Sequence, residues 1–435
     1  MKTKAKTPNK INIVTLGCSK NLVDSEVLLT QLKGNNIAAT HEASNNDANI
    51  IVINTCGFIE RAKQESIDTI LRYADAKTAG SIKKLYVTGC LSHRYKEELA
   101  QEIPEVDAWF GTMELPALLK RFKATYKHEL LGERLTTTAK HYAYLKISEG
   151  CDRPCSFCAI PLMRGKHASK PMEQILLEAK NLVKNGVKEI MLIAQDLTYY
   201  GIDIYRKRKL AELLDELAQV EGLAWIRLHY AYPASFPLEI LPVMQKHGNI
   251  CNYLDIPLQT GSDAMLKAMR RGITRPKTEQ LIQNIRESVP GIALRTTLIA
   301  GHPNETEADH EETLKFVEKM RFDRLGVFSY SHEENTHAFT MPDNVPEDIK
   351  QARVSEIMSL QEDISLDINQ AKVGKVFKVL FDRKEGGFWV GRTEYDSPEV
   401  DNEVLVSAES YVRLGDFAQV KIHEAQAFDL YGTLV

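Results

Sequence analysis

Three cysteines within eight residues constrain this chain more than any other feature. The segment reads Glu149-Gly150-Cys151-Asp152-Arg153-Pro154-Cys155-Ser156-Phe157-Cys158, a C-x3-C-x2-C spacing directly after an apolar run, Tyr142–Ile147, that reads as a strand. Three thiolates carried on one short loop can converge on one metal centre. Zinc sites complete four ligands with paired cysteines or histidines at short spacing, and no fourth ligand stands nearby at such a spacing. An iron–sulfur cluster with one iron left open accounts for three cysteines better, and the open position is where a substrate or cofactor binds. Gly150, Asp152 and Pro154 mark an exposed loop, which argues against three cysteines that merely pack.

The strand before the loop is one beat of a longer rhythm. Apolar runs at Ile11–Leu16, Asn49–Asn54 and Lys84–Thr88 alternate with helical patterns at Ser25–Leu32, Glu60–Ala74 and Tyr95–Ile103. Strands alternating with helices imply right-handed βαβ units and a parallel sheet. The beat pauses over the polar stretch Lys127–Lys140, which reads as a linker. It resumes with Tyr142–Ile147, Glu189–Ala194, Trp225–His229, Tyr253–Pro257, Ala293–Ile299 and Arg324–Tyr330, with helical patterns between them. Six such units suggest a full or partial parallel barrel with an open doubly wound sheet as the alternative, and a barrel places its chemistry at the C-terminal strand ends. A long helix over Pro346–Lys372 follows. Beyond Val376 the texture changes to short alternating strands with Gly-Gly, Asp-Ser-Pro and Leu-Gly-Asp turns, which reads as a small antiparallel barrel.

The four remaining cysteines are Cys18, Cys56, Cys90 and Cys251. The first three each end a predicted strand of the N-terminal unit beside a glycine: Gly17, Gly57 and Gly89. In an open α/β sheet such ends share one edge, where ligands bind. Glycine lets backbone approach a bulky group closely. One strand-end cysteine would be a small buried hydrophobe; three in equivalent places imply a second three-cysteine cluster. Cys251 opens a strand and reads as a core residue, and His229 as a satisfied core histidine.

Charge and composition exclude several classes. Hydrophobic residues make up 43% and charged residues 26%, ordinary for a globular chain. No apolar run approaches the roughly 20 residues of a membrane span. The first ten residues read as a loose polar tail; they carry four lysines and no long apolar run follows, so no signal peptide is expected. An odd cysteine count without such a signal argues against a disulfide framework and for a reducing, cytoplasmic setting. A net charge of -4 does not indicate a generally basic, phosphate-hugging protein.

A C-x3-C-x2-C loop after the first strand of a βα barrel resembles the radical S-adenosylmethionine (SAM) superfamily. The resemblance implies that Cys151, Cys155 and Cys158 hold a 4Fe–4S cluster whose open iron chelates the amino and carboxylate groups of SAM, and that reduction cleaves SAM to a 5′-deoxyadenosyl radical. With the second triad and the C-terminal barrel, the chain from about Ile11 to its end resembles the methylthiotransferases. That family's order implies an α/β multidomain chain: a flavodoxin-like cluster domain over 10–125, a radical-SAM core over 137–368 and a TRAM domain over 370–435. Cys18, Cys56 and Cys90 would hold the second 4Fe–4S cluster, which presents sulfur, and a second SAM would give the methyl group. No catalytic side chain is expected beyond the cluster ligands. Phe157, Gln195 with Asp196, and Arg295 are candidate SAM contacts.

Methylthiotransferases modify either a tRNA base or a ribosomal protein. Gly17-Cys-Ser-Lys-Asn-Leu-Val-Asp-Ser-Glu26 is similar to the ribosomal-protein branch, the RimO type, where the tRNA branch, MiaB-like, has Gln-Met-Asn after the cysteine. Ile147–Gly165 and Val390-Gly-Arg-Thr-Glu-Tyr-Asp-Ser-Pro-Glu-Val-Asp401 are similar to the same branch. Thr260-Gly261, Gly301-His-Pro-Asn-Glu-Thr306 and His167-Ala-Ser-Lys-Pro171 depart from its usual residues. From residue 370 onward there are eight Lys or Arg and eleven Asp or Glu. An acidic barrel suits a basic protein partner better than RNA phosphates. The resemblance implies methylthiolation of an aspartate β-carbon in small-subunit ribosomal protein twelve, free or in the ribosome. It also implies an electron donor, with tRNA and membranes not expected as partners.

Overall fold

The computed structural model describes residues 10–43 and 47–435. The expected polar tail lies, apart from Lys10, outside the described residues. The chain divides into two compact units. The first takes in the described residues up to Thr137 together with Glu149–Asp152 and Ala159–Ala168; the second comprises Thr138–Ser148, Arg153–Cys158 and Ser169–Val435.

The first unit holds a five-stranded parallel sheet in the order Ala39–His41, Ile11–Thr15, Ile50–Thr55, Lys84–Gly89, Ala108–Trp109. This is the flavodoxin-like 2-1-3-4-5 order, whose reversal between the first and third strands opens a crevice at their C-terminal ends. Ile50–Thr55 is buried at every residue, as a parallel strand covered on both faces must be. The two edge strands, three and two residues long, were too short to stand out from the sequence.

Two helices start earlier than their hydrophobic pattern suggests. Ser19–Gly34 begins six residues before Ser25, because its buried face carries Asn21, Ser25, Glu26 and Gln31 among the leucines. Cys90–Glu102 begins at the cysteine itself, and Tyr95, where the pattern starts, has non-helical φ/ψ inside it. The polar stretch after Lys127 is fastened to the first helix up to residue 137. The buried Glu26 carboxylate pairs with Arg134 and accepts Thr137 N–H at 2.5 Å, while Gln31 accepts Lys127 N–H at 2.7 Å.

The second unit is built on six parallel strands: Tyr142–Lys146, Glu189–Ile193, Trp225–Leu228, Ile250–Asp255, Ala293–Ala300 and Arg324–Ser329. Each pairs with the next in chain order. The order never reverses, which excludes the doubly wound alternative, and the ladder does not close, so the barrel is partial. Leu192, Leu228, Leu254 and Leu294 face the helical layer with Ile175, Leu213 and Ile282.

Behind the 24-residue helix Glu347–Gln370, entered at Pro346, comes a closed five-stranded barrel. Val379, Phe381, Val404, Val406, Val420 and Ile422 alternate inward to form its core. It departs from the expected antiparallel barrel in one pair, Glu403–Ser407 beside Asp429–Leu434, which is parallel. An odd number of strands cannot close with antiparallel neighbours throughout.

The motif residues after Arg392 leave this barrel and cover the opposite, concave face of the six-stranded sheet. Tyr395 packs with Trp225, Cys251, Tyr253 and Ala293. Around it run charged contacts: Glu189 with Arg227 and Arg392, both at 2.8 Å; Asp396 with Arg324; and Asp401 with Tyr253 at 2.7 Å and Arg295 at 3.3 Å. Asp382, Asp396 and Asp401 are therefore turned inward along with Arg392. Setting those four aside leaves the tail barrel seven Lys or Arg against eight Asp or Glu, nearly balanced and less acidic than its composition suggests.

Candidate metal centres

Each cysteine of the first triad follows its strand at the C-terminal edge: Cys18 after Ile11–Thr15, Cys56 after Ile50–Thr55, and Cys90 after Lys84–Gly89. The glycines explain how these backbones converge. A Cβ on Gly17, which has a φ of +89°, would lie 2.6 Å from Cys56 Cβ; one on Gly57 would lie 2.7 Å from the Leu91 nitrogen; one on Gly89 would lie 2.5 Å from the Thr55 oxygen. Cys18 is exposed, while Cys56 and Cys90 are buried.

Asn21 stitches this edge together. Its amide donates to Leu16 O at 2.7 Å and Thr55 O at 3.0 Å, and its Oδ1 lies 3.8 Å from Cys90 Sγ. Burial raises the pKa of Cys56 and pushes that of Cys90 up to about 12, and the neighbouring cysteines raise both further. The Arg164 guanidinium beside them pulls the other way. Burial thus holds these thiols protonated until a cation compensates for their deprotonation. A glycine-lined edge with three clustered thiols and an adjacent cation fits an iron–sulfur cluster.

The second triad lies on the loop after Tyr142–Lys146. Within the first unit, Cys151 N donates to Gly165 O at 3.1 Å. A Cβ on Gly150 would come within 2.1 Å of Lys166 O, so this turn requires glycine. Within the second unit, Cys158 N donates to Cys155 O at 3.3 Å. All three cysteines are half-buried. Among the described residues, no three His, Cys, Asp or Glu side chains are spaced to hold a single metal ion.

Cys155 has a built surround that the sequence did not disclose. Arg271, 3% exposed, donates from Nη1 to Cys155 Sγ at 3.1 Å and from Nη2 to Pro257 O at 2.5 Å. Tyr232 lies 3.7 Å from the same sulfur, and its hydroxyl donates to Arg271 O at 2.9 Å. The Tyr232 ring is flanked by Arg271 at 4.4 Å and Arg153 at 4.1 Å, both in cation–π range. Arg153 is held by Asp196 at 2.7 Å, and Asp196 also caps the turn at Leu197–Tyr199 through Thr198. The signal available in the sequence was Met269-Arg-Arg-Gly272, whose Gly272 turns with a φ of +67°.

The other candidates sit as follows. Phe157 is half-buried between Ser156 and Cys158, and Gln195 is half-buried at the end of Glu189–Ile193. Arg295 is engaged by Asp255 at 3.2 Å and Asp401 at 3.3 Å. His229 bonds Ser397 Oγ at 3.0 Å, and Cys251 is 1% exposed in the core. Two departures from the branch pattern have local reasons. His302 packs on Tyr330 and places Nε2 3.2 Å from Ser156 Oγ. Asn304 takes a φ of +68°, a conformation asparagine tolerates.

Comparison with known proteins defines the class first. Residues 145–317 match the radical SAM superfamily, residues 10–111 the uncharacterized protein family UPF0004 and residues 373–435 the TRAM domain. The solved structure of the radical SAM methyltransferase TsrM from Kitasatospora setae, with cobalamin and a [4Fe-4S] cluster bound, superposes with a TM-score of 0.52 at 13% identity. The match covers 74% of this chain and 75% of that one. The radical enzyme OxsB also gives 0.52 at 15% identity, covering 80% and 56%. These likenesses show the fold. The chain is 64% identical over 436 residues, all of both chains, to a protein of Cytophaga hutchinsonii named ribosomal protein uS12 methylthiotransferase RimO. Relatives of the same name in Flavobacterium johnsoniae and Phocaeicola vulgatus are 63% and 54% identical, covering 99% and 98% of this chain and 99% of each relative. The chain belongs to the RimO family of radical SAM methylthiotransferases.

Proposed function

We propose that the protein transfers a methylthio group to the β-carbon of one aspartate of ribosomal protein uS12, using two 4Fe–4S clusters and SAM. Full-length similarity to the RimO proteins supports the substrate. The observation that carries the two-cluster chemistry is the presence of two separate cysteine triads, each with a fitted surround. Cys151, Cys155 and Cys158 would hold the SAM-binding cluster, and Cys18, Cys56 and Cys90 the sulfur-presenting one. When bound, the clusters and SAM supply radical hydrogen abstraction from an unactivated C–H bond together with sulfur and methyl delivery.

The chain's own residues orient and insulate. Arg271 aims a charged donor at Cys155 Sγ, and Arg153, clamped by Asp196, holds the Tyr232 ring beneath that sulfur. A guanidinium donor favours an anionic sulfur and fixes its lone-pair direction. Phe157, Gln195 and Arg295 are the proposed SAM contacts. Burial of Asp396 and Ser397, with the half-buried Tyr395 packed against the concave sheet, excludes water from that side. The protein acts in the cytoplasm with a low-potential electron donor and meets uS12 free or in the ribosome; tRNA is not its substrate. No helix among the described residues is long and apolar enough to cross a membrane.

Anaerobic reconstitution with iron and sulfide tests the cofactor assignment. Wild-type protein should load two clusters. A variant with Cys18, Cys56 and Cys90 changed to Ala should load one and still cleave SAM. A variant lacking the other three cysteines should load one and leave SAM intact. Loss of SAM cleavage only when the N-terminal triad is removed would overturn the assignment.

A further inference from the structure

We infer that Arg164 is a positioning residue that locks the loop carrying Cys151 to the three-cysteine edge. The inference rests on the two-cluster reading above and gives one residue a role that neither triad's spacing reveals. Arg164 ends the short helix Ile160–Arg164, six positions after Cys158, and is 4% exposed. Its Nη1 donates to Asp24 Oδ2 at 2.8 Å and to both oxygens of Glu149 at 3.0 and 3.1 Å. Its Nη2 donates to Asn21 Oδ1.

These partners lie beside the two sets of cysteines: one on the Cys151 loop, two on the helix that follows Cys18. Glu149 stands two residues before Cys151. Asn21 is the residue whose amide holds the carbonyls of Leu16 and Thr55, just ahead of Cys18 and Cys56, and whose oxygen faces Cys90 Sγ. Asp24 lies one turn further along the same helix. One planar fork therefore spans the Cys151 loop and the anchor of all three N-terminal cysteines. The surrounding backbone reinforces the lock: Cys151 N bonds Gly165 O, and Ala159, Ile160 and Met163 pack with Cys90. Thr112 Oγ1 donates to Met163 O at 2.7 Å.

The geometry needs a guanidinium. Two nitrogens of one rigid plane serve three different acceptors, which a lysine ammonium on a flexible stem cannot reproduce. The positive charge also sits beside thiols that become anionic when they bind iron. Asp24 and Glu149 hold the guanidinium in place and keep the buried cation paired.

The test compares wild type with Arg164→Lys and Glu149→Gln in the reconstituted full-length protein. Arg164→Lys keeps the charge but not the fork; Glu149→Gln weakens the link only on the Cys151 side. Iron and sulfide content read assembly, and EPR of the fully reduced protein reads the magnetic interaction between clusters. Product assays read SAM cleavage and methylthio transfer to uS12 separately. Both variants should load iron as wild type does, show an altered inter-cluster EPR interaction, and lose at least ten-fold in transfer relative to SAM cleavage. Unchanged EPR with transfer and cleavage both within two-fold of wild type would overturn the inference. So would parallel loss of iron and both activities in the two variants, because that marks a merely structural role. A wild-type protein that loads only one cluster would instead sink the two-cluster reading itself.

Discussion

Glu189→Gln is the sharpest probe of how the second unit is held together. Glu189 opens its strand with a side chain at 0% exposure, between Arg227 at 0% and Arg392 at 2%. Both ion pairs are 2.8 Å long. The substitution is nearly isosteric, so it makes no cavity. It removes the one negative charge shared by two buried guanidinium groups and turns an amide N–H₂ toward one of them. Uncompensating a buried charge in this way costs about 3–5 kcal/mol. Arg227 keeps the Glu394 and Thr393 carbonyls and Arg392 keeps Asp382, which limits the loss to that range.

With a urea m-value of roughly 3 kcal/mol/M for a unit of this size, the unfolding midpoint should fall by about 1–1.7 M. The pH dependence has a definite sign. Burial raises the Glu189 pKa, but the two arginines outweigh it and hold the carboxyl below its ordinary value. Its stabilisation is therefore complete above the unfolded value near pH ~4.5 and disappears as pH falls through the lower folded value. The gap between variant and wild type should be constant at neutral pH and close only in acid. A midpoint shift under about 0.3 M at pH 7, near the scatter of such measurements, would refute the reasoning, because it would mean that water screens these charges.

Three further outcomes follow from the same geometry. Gly17→Ala places a methyl 2.6 Å from Cys56 Cβ at a positive φ, so the protein should load about half the wild-type iron and still cleave SAM. Arg271→Leu removes a charged donor from Cys155 Sγ, so the SAM-site cluster should become harder to reduce. A loss of about 1.4 kcal/mol corresponds to a potential roughly 60 mV lower, readable by EPR-monitored redox titration. Tyr253→Phe removes the 2.7 Å bond to Asp401 and leaves the ring in place, so urea unfolding should show a loss of about 1–3 kcal/mol.

What the sequence disclosed, and what it hid, follow from the range of the forces involved. The parallel strands were legible because a strand buried on both faces must be a continuous apolar run, as Ile50–Thr55 is. The cysteines were legible because metal chemistry demands fixed residue types at strand ends. The polar interior was not. Asn21, Glu26, Glu189, Arg227 and Arg271 are held by partners between 33 and 203 positions away, among them Asn54, Arg134, Arg392 and Cys155, and no local pattern marks such pairings. The same cause misdirected the charge of the tail barrel: Asp382, Asp396 and Asp401 counted as surface acidity but are consumed by ion pairs with Arg392, Arg324 and Arg295. The stretch from Lys127 read as a linker because its ties to Glu26, Thr30 and Gln31 are polar.

The most direct test of the central claim is a competition. Reconstituted protein, SAM and a reductant are given uS12 and unmodified tRNA together under anaerobic conditions, and both are read by mass spectrometry. The account predicts a methylthio gain on one aspartate of uS12 and none on tRNA. A gain on a tRNA adenosine, or an unmodified uS12 while SAM is cleaved, would contradict it.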